Sequence, residues 1–173
     1  MKAFLLDAVH ATEDAAIAAY SYIGSGNGLE ADGAATTALR DRLNKAYFCG
    51  IVKIGEGKKD KAPGLFEGEQ VGQLGMEVCD RYDIAVDPID GTKLTISGRP
   101  GAISTMALAH ENGFYTTKAH YSLKLACGRR LADHLHLLDP IEETVRIARN
   151  KLGKNITVCV LDRPRHRGLI LKL

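Results

Sequence analysis

Apolar and polar positions follow two different periods along this chain, which predicts a mixture of helices and strands. Residues 7–23 and 31–47 lack proline and are rich in small or helix-favouring residues, so both are predicted as helices. In the second, Leu39 and Leu43 have the spacing of one apolar face. Short apolar and β-branched runs are predicted as strands at 48–54, 65–71, 82–86, 102–109, 114–118, 121–126 and 156–161. This mixed order predicts a layered α/β (α+β) fold, which we take as a single domain over residues 1–173.

Two local signals in the second half of the chain predict a turn and the start of a helix. Asn112-Gly113 lies between two predicted strands, and this dipeptide is typical of a β-hairpin turn. Asp139-Pro140 predicts a helix start, with the aspartate as N-cap and the proline in the first turn. That helix is expected to end near Gly153.

The composition limits the class of protein. The chain has 173 residues, of which 45% are hydrophobic and 25% charged, as in ordinary globular domains with an apolar core. Its net charge of +2 gives no electrostatic reason to expect a nucleic-acid partner. No apolar stretch reaches the roughly 20 residues needed to span a membrane. Four well-separated cysteines, without a Cys-x-x-Cys pair, are expected to be reduced and mostly buried in a cytoplasmic protein.

Carboxylates stand beside glycine at three places where a predicted element ends. These are Asp32-Gly33, Gly55-Glu56-Gly57 and Asp87-Pro88-Ile89-Asp90-Gly91-Thr92. Two carboxylates this close to each other suit Mg²⁺ or Mn²⁺, and the following glycine and threonine offer N–H groups to an anion. An isolated segment of this kind is also typical of a capped turn. The apolar strand before it, the proline and the upstream Gly-Glu-Gly favour a metal site.

The segment at 87–92 is the signature of the lithium-sensitive, metal-dependent phosphatase superfamily. Its surroundings resemble class II fructose-1,6-bisphosphatases, including the dual fructose/sedoheptulose type. The matching stretches are 31–35, 54–57, 60–63, 83–92 and 163–166, in the family's order. The resemblance implies a sugar-phosphatase sandwich that uses Mn²⁺ or Mg²⁺ to remove the 1-phosphate of fructose 1,6-bisphosphate or of sedoheptulose 1,7-bisphosphate. Such enzymes act in gluconeogenesis or in the reductive pentose phosphate cycle.

The same resemblance implies roles for individual residues. The expected metal ligands are Asp32, Glu56, Asp87 and Asp90. The expected catalytic residues are Asp87, Asp90 and Thr92. The expected contacts to the sugar bisphosphate are Asp90, Gly91, Thr92, Tyr121, Arg163, Pro164 and Arg165. Arg163 stands where the family has a lysine, and a guanidinium also binds phosphate.

The chain departs from the family pattern in two ways that leave alternatives open. Family members are much longer, so the sandwich is expected to be incomplete at its C-terminal half, with an exposed sheet edge that favours a homo-oligomer. The segment 24–30 also lacks the lysine that precedes the first metal ligand in the family. One alternative is therefore a truncated remnant or assembly subunit that retains metal binding. Another is an inositol-monophosphatase-like phosphatase that shares only the superfamily signature.

Overall fold

The structure is a computed structural model that describes residues 2–56, 63–73, 79–117, 122–153, 155–161 and 163–173. The chain forms two compact units, Met1–Thr117 and Lys118–Leu173. Each unit is described by itself below. Tyr121, which the resemblance assigns to the substrate, lies outside the described residues.

The first unit consists of two long helices, a four-stranded mixed sheet and one short helix. Its elements are α1 (Lys2–Tyr20), α2 (Gly28–Lys45), β1 (Cys49–Ile54), β2 (Gln70–Gly72), β3 (Arg81–Asp90), α3 (Thr92–Ile96) and β4 (Ile103–His110). The strand order is β2-β1-β3-β4, and β1 and β3 are parallel whereas the other pairs are antiparallel. These elements confirm the predicted α/β class. Both helices begin and end earlier than predicted, because 21–27 forms the turn that separates them.

The core of the first unit lies between the two helices and one face of the sheet. Small residues on α1 and α2 let the helices approach closely, and the leucines of α2 reach the sheet. The buried helical residues include Ala11, Ala15, Ala19, Ala31, Ala35, Leu39 and Leu43. Phe4 of α1 stacks on Phe48, with ring centroids 3.8 Å apart. Alternate residues of β3, Tyr82, Ile84 and Val86, are buried against this layer.

The second unit has little regular structure and a small core. It contains α4 (Arg129–Ala132), α5 (Ile141–Leu152), a 3₁₀ turn at Pro164–His166 and α6 (Arg167–Ile170). Its buried apolar residues are Leu131, Leu135 and Ala148. The predicted end of α5 is confirmed, since the Gly153 N–H donates to the Arg149 carbonyl, but the helix begins one residue later than predicted, with Pro140 at the N-cap position. Asp139 does not cap α5, because its Oδ2 accepts the N–H of His136 instead.

Several predicted strands are wrong. The described residues of 114–118, 121–126 and 156–161 form no strand. Their apolar pattern is suitable for a sheet, but a strand also needs a neighbour that supplies its backbone hydrogen bonds. Asn112-Gly113 does form a turn, since the Gly113 N–H donates to the His110 carbonyl at 2.8 Å. Of the predicted strand at 65–71, only the last two residues belong to β2, while Phe66 forms an isolated bridge with Glu56 and a turn follows it.

The expectation of reduced, mostly buried cysteines is also wrong. Cys49 and Cys79 form a disulfide, and both remaining cysteines, Cys127 and Cys159, are exposed. The pairing of β1 with β3 places Cys49 opposite Arg81, which brings Cys79 next to it. Residues 30 positions apart therefore meet through strand pairing, which sequence spacing does not show. Within the described part of the chain, no helix combines the length and apolar character needed to cross a membrane.

Candidate metal and phosphate site

The predicted acidic segments converge on one edge of the sheet. Because β1 and β3 are parallel, their carboxyl ends lie at the same edge, where α/β proteins commonly bind ligands. Glu56 follows β1, while Asp87 and Asp90 belong to the last four residues of β3. Asp32 lies in the first two turns of α2. Parallel pairing thus explains how segments separated in sequence contribute to one region.

Thr92 connects the first and last of these segments. Its hydroxyl donates to Asp32 Oδ1 at 2.8 Å, although the two residues are 60 positions apart. The same oxygen lies 3.3 Å from the carbonyl oxygen of Ile89, which keeps the hydroxyl close to the turn. The threonine side chain therefore holds the start of α2 against the 87–92 segment.

Asp87 lies among like charges. Partial burial is the largest cause that raises its pKa, and the negative charges of Asp90 and Asp32 raise it further. The Ile89 N–H, which donates to Asp87 Oδ1 at 3.1 Å, acts in the opposite direction. Mutual repulsion of three carboxylates is the electrostatic situation that a bound cation relieves.

A bulge and a glycine shape the segment that carries these carboxylates. Asp87 pairs with Thr105 and Asp90 with Ile103, so three steps along β3 match two steps along β4. The extra residue interrupts the alternation of side chains between the two faces of the sheet. Asp87 and Asp90, which are three residues apart, therefore need not point to opposite faces. Gly91 has a φ of 110°, and a Cβ there would lie 3.1 Å from Ala102 Cα. A larger residue would therefore be strained at this turn.

The loop next to Glu56 is held by a network that the sequence analysis missed. The Glu56 N–H donates to the Leu65 carbonyl at 2.9 Å, and a Cβ on Gly55 would lie only 2.1 Å from that oxygen. The buried carboxylate of Glu69 accepts the Leu65 N–H and pairs with Nε of Arg40 on α2. No local pattern distinguishes Glu69 from its exposed neighbour Glu67, because the partner lies on another element.

The acidic residues fit a hard divalent cation by their chemistry, since Mg²⁺ and Mn²⁺ prefer carboxylate oxygens. Within the described residues, however, no three aspartate, glutamate, histidine or cysteine side chains form a group arranged to hold a metal ion. The structure brings Asp32 to Thr92 by a hydrogen bond, and Asp87 interacts electrostatically with Asp32 and Asp90. Assignment of Asp32, Glu56, Asp87 and Asp90 as one ligand set stays a prediction.

The remaining predicted substrate residues lie in the second unit. Arg163 precedes the 3₁₀ turn, which Pro164 begins, and Arg165 lies inside it. All three are exposed. The Nδ1 atom of His166 lies 2.8 Å from the Leu161 carbonyl oxygen, which fixes the end of this turn. The role of Arg163, Pro164 and Arg165 in phosphate binding stays a prediction.

A cavity of about 460 Å³ lies next to the 87–92 segment and was not predicted. Pro88 and Ile89 line it together with Tyr20 of α1 and Arg99 from the turn after α3. The lining is mostly apolar, with Arg99 as its charged member. Pro88 and Ile89, rather than the carboxylates on either side of them, connect the 87–92 segment to this cavity.

An α/β unit with carboxylates and a threonine at the ends of parallel strands corresponds to the class of metal-dependent phosphatases. Within that class, the chain belongs to the family described as bacterial fructose-1,6-bisphosphatase, glpX-encoded, which it matches over residues 2–173. This membership confirms the resemblance noted from the sequence motifs. It also favours this family over the inositol-monophosphatase-like alternative.

Individual relatives agree with the family. The chain is 40% identical over 176 residues to a fructose-1,6-bisphosphatase class 2 of Haemophilus influenzae, covering 99% of this chain and 52% of the relative. It is 34% and 33% identical, over 180 residues each, to proteins of Synechocystis sp. and Microcystis aeruginosa. Both are named D-fructose 1,6-bisphosphatase class 2/sedoheptulose 1,7-bisphosphatase. The chain thus spans about half the length of these relatives, with 52% coverage in each case.

Proposed function

We propose that this chain acts as a metal-dependent phosphomonoesterase that removes the 1-phosphate of fructose 1,6-bisphosphate and of sedoheptulose 1,7-bisphosphate. The main support is the hydrogen bond of 2.8 Å from Thr92 to Asp32, which joins two acidic segments beside Asp87. The named activities of the relatives support the same substrate class. Gluconeogenesis or the reductive pentose phosphate cycle is the proposed metabolic context.

A bound Mn²⁺ or Mg²⁺ ion would be held by Asp32, Glu56, Asp87 and Asp90, and it would supply charge neutralisation for the phosphate and acidify a water molecule. The Thr92 hydroxyl, held near Asp32 and the Ile89 carbonyl, orients the attacking water. As the water oxygen bonds to phosphorus, the bond between phosphorus and the sugar O1 breaks, and O1 takes up a proton from solvent water. The products are inorganic phosphate and the sugar monophosphate.

Asp87 is the proposed proton acceptor in this step. Its Oδ1 already accepts the Ile89 N–H, so Oδ2 is the atom proposed to take the proton from water. In the metal-free chain, burial and neighbouring negative charges raise the pKa of Asp87, and a bound cation would act in the opposite direction. Asp90, Gly91 and Thr92 would contact the phosphate that is removed.

Three exposed residues and one outside the described part are proposed to bind the rest of the substrate. Arg163 and Arg165 carry guanidinium groups that suit a second phosphate, with Pro164 holding the turn between them. Tyr121 is proposed as a contact to the sugar. These roles rest on the family resemblance alone.

The cellular setting and oligomeric state belong to the same proposal. Sugar bisphosphates are multiply charged and do not cross membranes unaided, which supports a cytoplasmic location. β4 is an end strand of the described sheet, and an exposed edge can pair with another copy of the chain. Size-exclusion chromatography that shows a monomer at every concentration would contradict the proposed homo-oligomer.

A second candidate function is that of a subunit that binds metal without hydrolysing the substrate. The observation behind it is that the described residues contain no group of three side chains arranged to hold an ion, so they do not show the full ligand set that hydrolysis would need.

Phosphate release from fructose 1,6-bisphosphate in the presence of Mn²⁺ distinguishes these candidates. We expect metal-dependent release that Asp87→Asn abolishes and Asp41→Asn, an exposed change on α2, leaves intact. Inositol 1-phosphate should release no phosphate. Absence of release with Mn²⁺ binding retained would support the non-hydrolytic subunit, whereas absence of both would contradict either candidate.

A further inference from the structure

Lys53 occupies a bulge in β1, close to the candidate site. Val52 pairs with Ile84 of β3 and Ile54 pairs with Ala85, so Lys53 is an extra residue on β1. Such an extra residue interrupts the alternation of side chains between the two faces of a sheet. Val52 and Ile84 are buried on the face that the helices cover.

The partner of Lys53 is a buried carboxylate with unusual surroundings. Asp83 alternates with the buried Ile84 of β3 and therefore points to the opposite face, as does Asp87. Its side chain is 1% exposed, yet neither carboxylate oxygen has a hydrogen-bond partner in the described structure. The ammonium Nζ of Lys53 lies 3.8 Å from Asp83 Oδ1. This distance allows charge attraction but is too long for a hydrogen bond.

Lys53 is placed between Asp83 and the candidate site. With a rise of about 3.3 Å per residue, the Cα atoms of Asp83 and Asp87 are about 13 Å apart along β3. Lys53 lies beside the peptide that joins Ile84 and Ala85, hence about 5 Å along the strand from Asp83 and about 8 Å from Asp87. Its flexible stem and 30% exposure allow the ammonium to turn from the first carboxylate towards the second.

We infer that Lys53 binds the phosphate group of the substrate beside Asp87 and Thr92, and that Asp83 holds its ammonium when no phosphate is present. The inference rests on the proposed function, because it assumes that the acidic edge receives a phosphate. An ammonium that forms charge-assisted hydrogen bonds with phosphate oxygens gains directed contacts, which its position near Asp83 does not provide. Asp83 then acts as a competitor of phosphate for the same cation.

Because of this competition, substitutions at Lys53 and at Asp83 should change the affinity for phosphate in opposite directions. The probe is inorganic phosphate, titrated into the folded chain with Mg²⁺ present and followed by calorimetry. We expect Lys53→Met to weaken phosphate binding about tenfold, the value of one charged hydrogen bond, and Lys53→Arg to retain most of it. Asp83→Asn should tighten phosphate binding, because it removes the competing charge. Lys45→Met, at the exposed end of α2, serves as the matched control and should change nothing.

A purely structural ion pair gives a different pattern. Lys53→Met and Asp83→Asn would then both lower the melting temperature and leave the phosphate dissociation constant unchanged, which would overturn the inference while the proposed function stands. A wild-type chain that binds no phosphate would overturn both.

Protection of the lysine in the wild-type chain gives a second test that needs no variant. Inorganic phosphate should slow reductive methylation of Lys53 several-fold and leave that of Lys45 unchanged, as measured by mass spectrometry. Equal methylation of Lys53 with and without phosphate would overturn the inference.

Discussion

Glu69 is expected to hold the loop beside Glu56 in place. Its carboxylate is 7% exposed, accepts the buried Leu65 N–H and pairs with Arg40. Leu65 has a φ of 59°, a conformation that is costly for a side chain of this kind and needs surrounding contacts to persist. The Leu65 carbonyl in turn accepts the Glu56 N–H. Loss of Glu69 should therefore release the backbone next to a predicted metal ligand.

The expected cost of Glu69→Ala can be estimated from these contacts. A buried backbone N–H left without a partner costs about 1–3 kcal/mol. The ion pair contributes about 0.5–1 kcal/mol, since Arg40 is partly exposed and solvent screens the pair. We expect the free energy of unfolding to fall by about 1.5–4 kcal/mol. Glu69→Gln should cost less, because the amide retains an oxygen that accepts the Leu65 N–H.

Urea unfolding followed by circular dichroism measures this change. The matched control is Glu67→Ala, two residues away and exposed, which should alter stability by less than about 0.5 kcal/mol. A Glu69→Ala variant as stable as this control would refute the reasoning, since it would show that the buried carboxylate satisfies no essential group.

Three further predictions concern the site and its scaffold. Burial and neighbouring carboxylates raise the pKa of Asp87 in the folded metal-free chain. The folded state should therefore lose stability as the pH rises from about 4 through that raised pKa. Melting curves recorded across this pH range should show the loss in the wild type and not in Asp87→Asn. Thr92→Val should lower the free energy of unfolding by about 1 kcal/mol in urea titrations because Asp32 loses its donor, whereas Thr92→Ser should not. Cys49→Ser removes the disulfide to Cys79 and should lower the free energy of unfolding by about 3–4 kcal/mol. A reductant should lower the stability of the wild type and leave that of Cys49→Ser unchanged. An equal loss of stability in both proteins would contradict this prediction.

Features that depend on local pattern were predictable from the sequence. The helices, β1, β3 and β4 follow from apolar periodicity, and α5 ends at the expected glycine. These predictions succeed because each depends on residues within one element.

Features that depend on contacts between elements were not predictable. The disulfide and the pairing of Lys53 with Asp83 both require the register of β1 against β3. Glu69 differs from Glu67 only through Arg40 on α2. The segment 156–161 has the composition of a strand, but no sequence pattern states whether a neighbouring strand is present to pair with it.

Mn²⁺ binding by the purified chain tests the central claim most directly, since every proposed step requires carboxylates that hold a cation together. We expect calorimetry to show Mn²⁺ binding that is lost in Asp87→Asn and retained in Asp41→Asn, the exposed control on α2. Equal Mn²⁺ affinity in the wild type and in Asp87→Asn would show that the ion binds elsewhere and would contradict the assignment of this edge as the metal site.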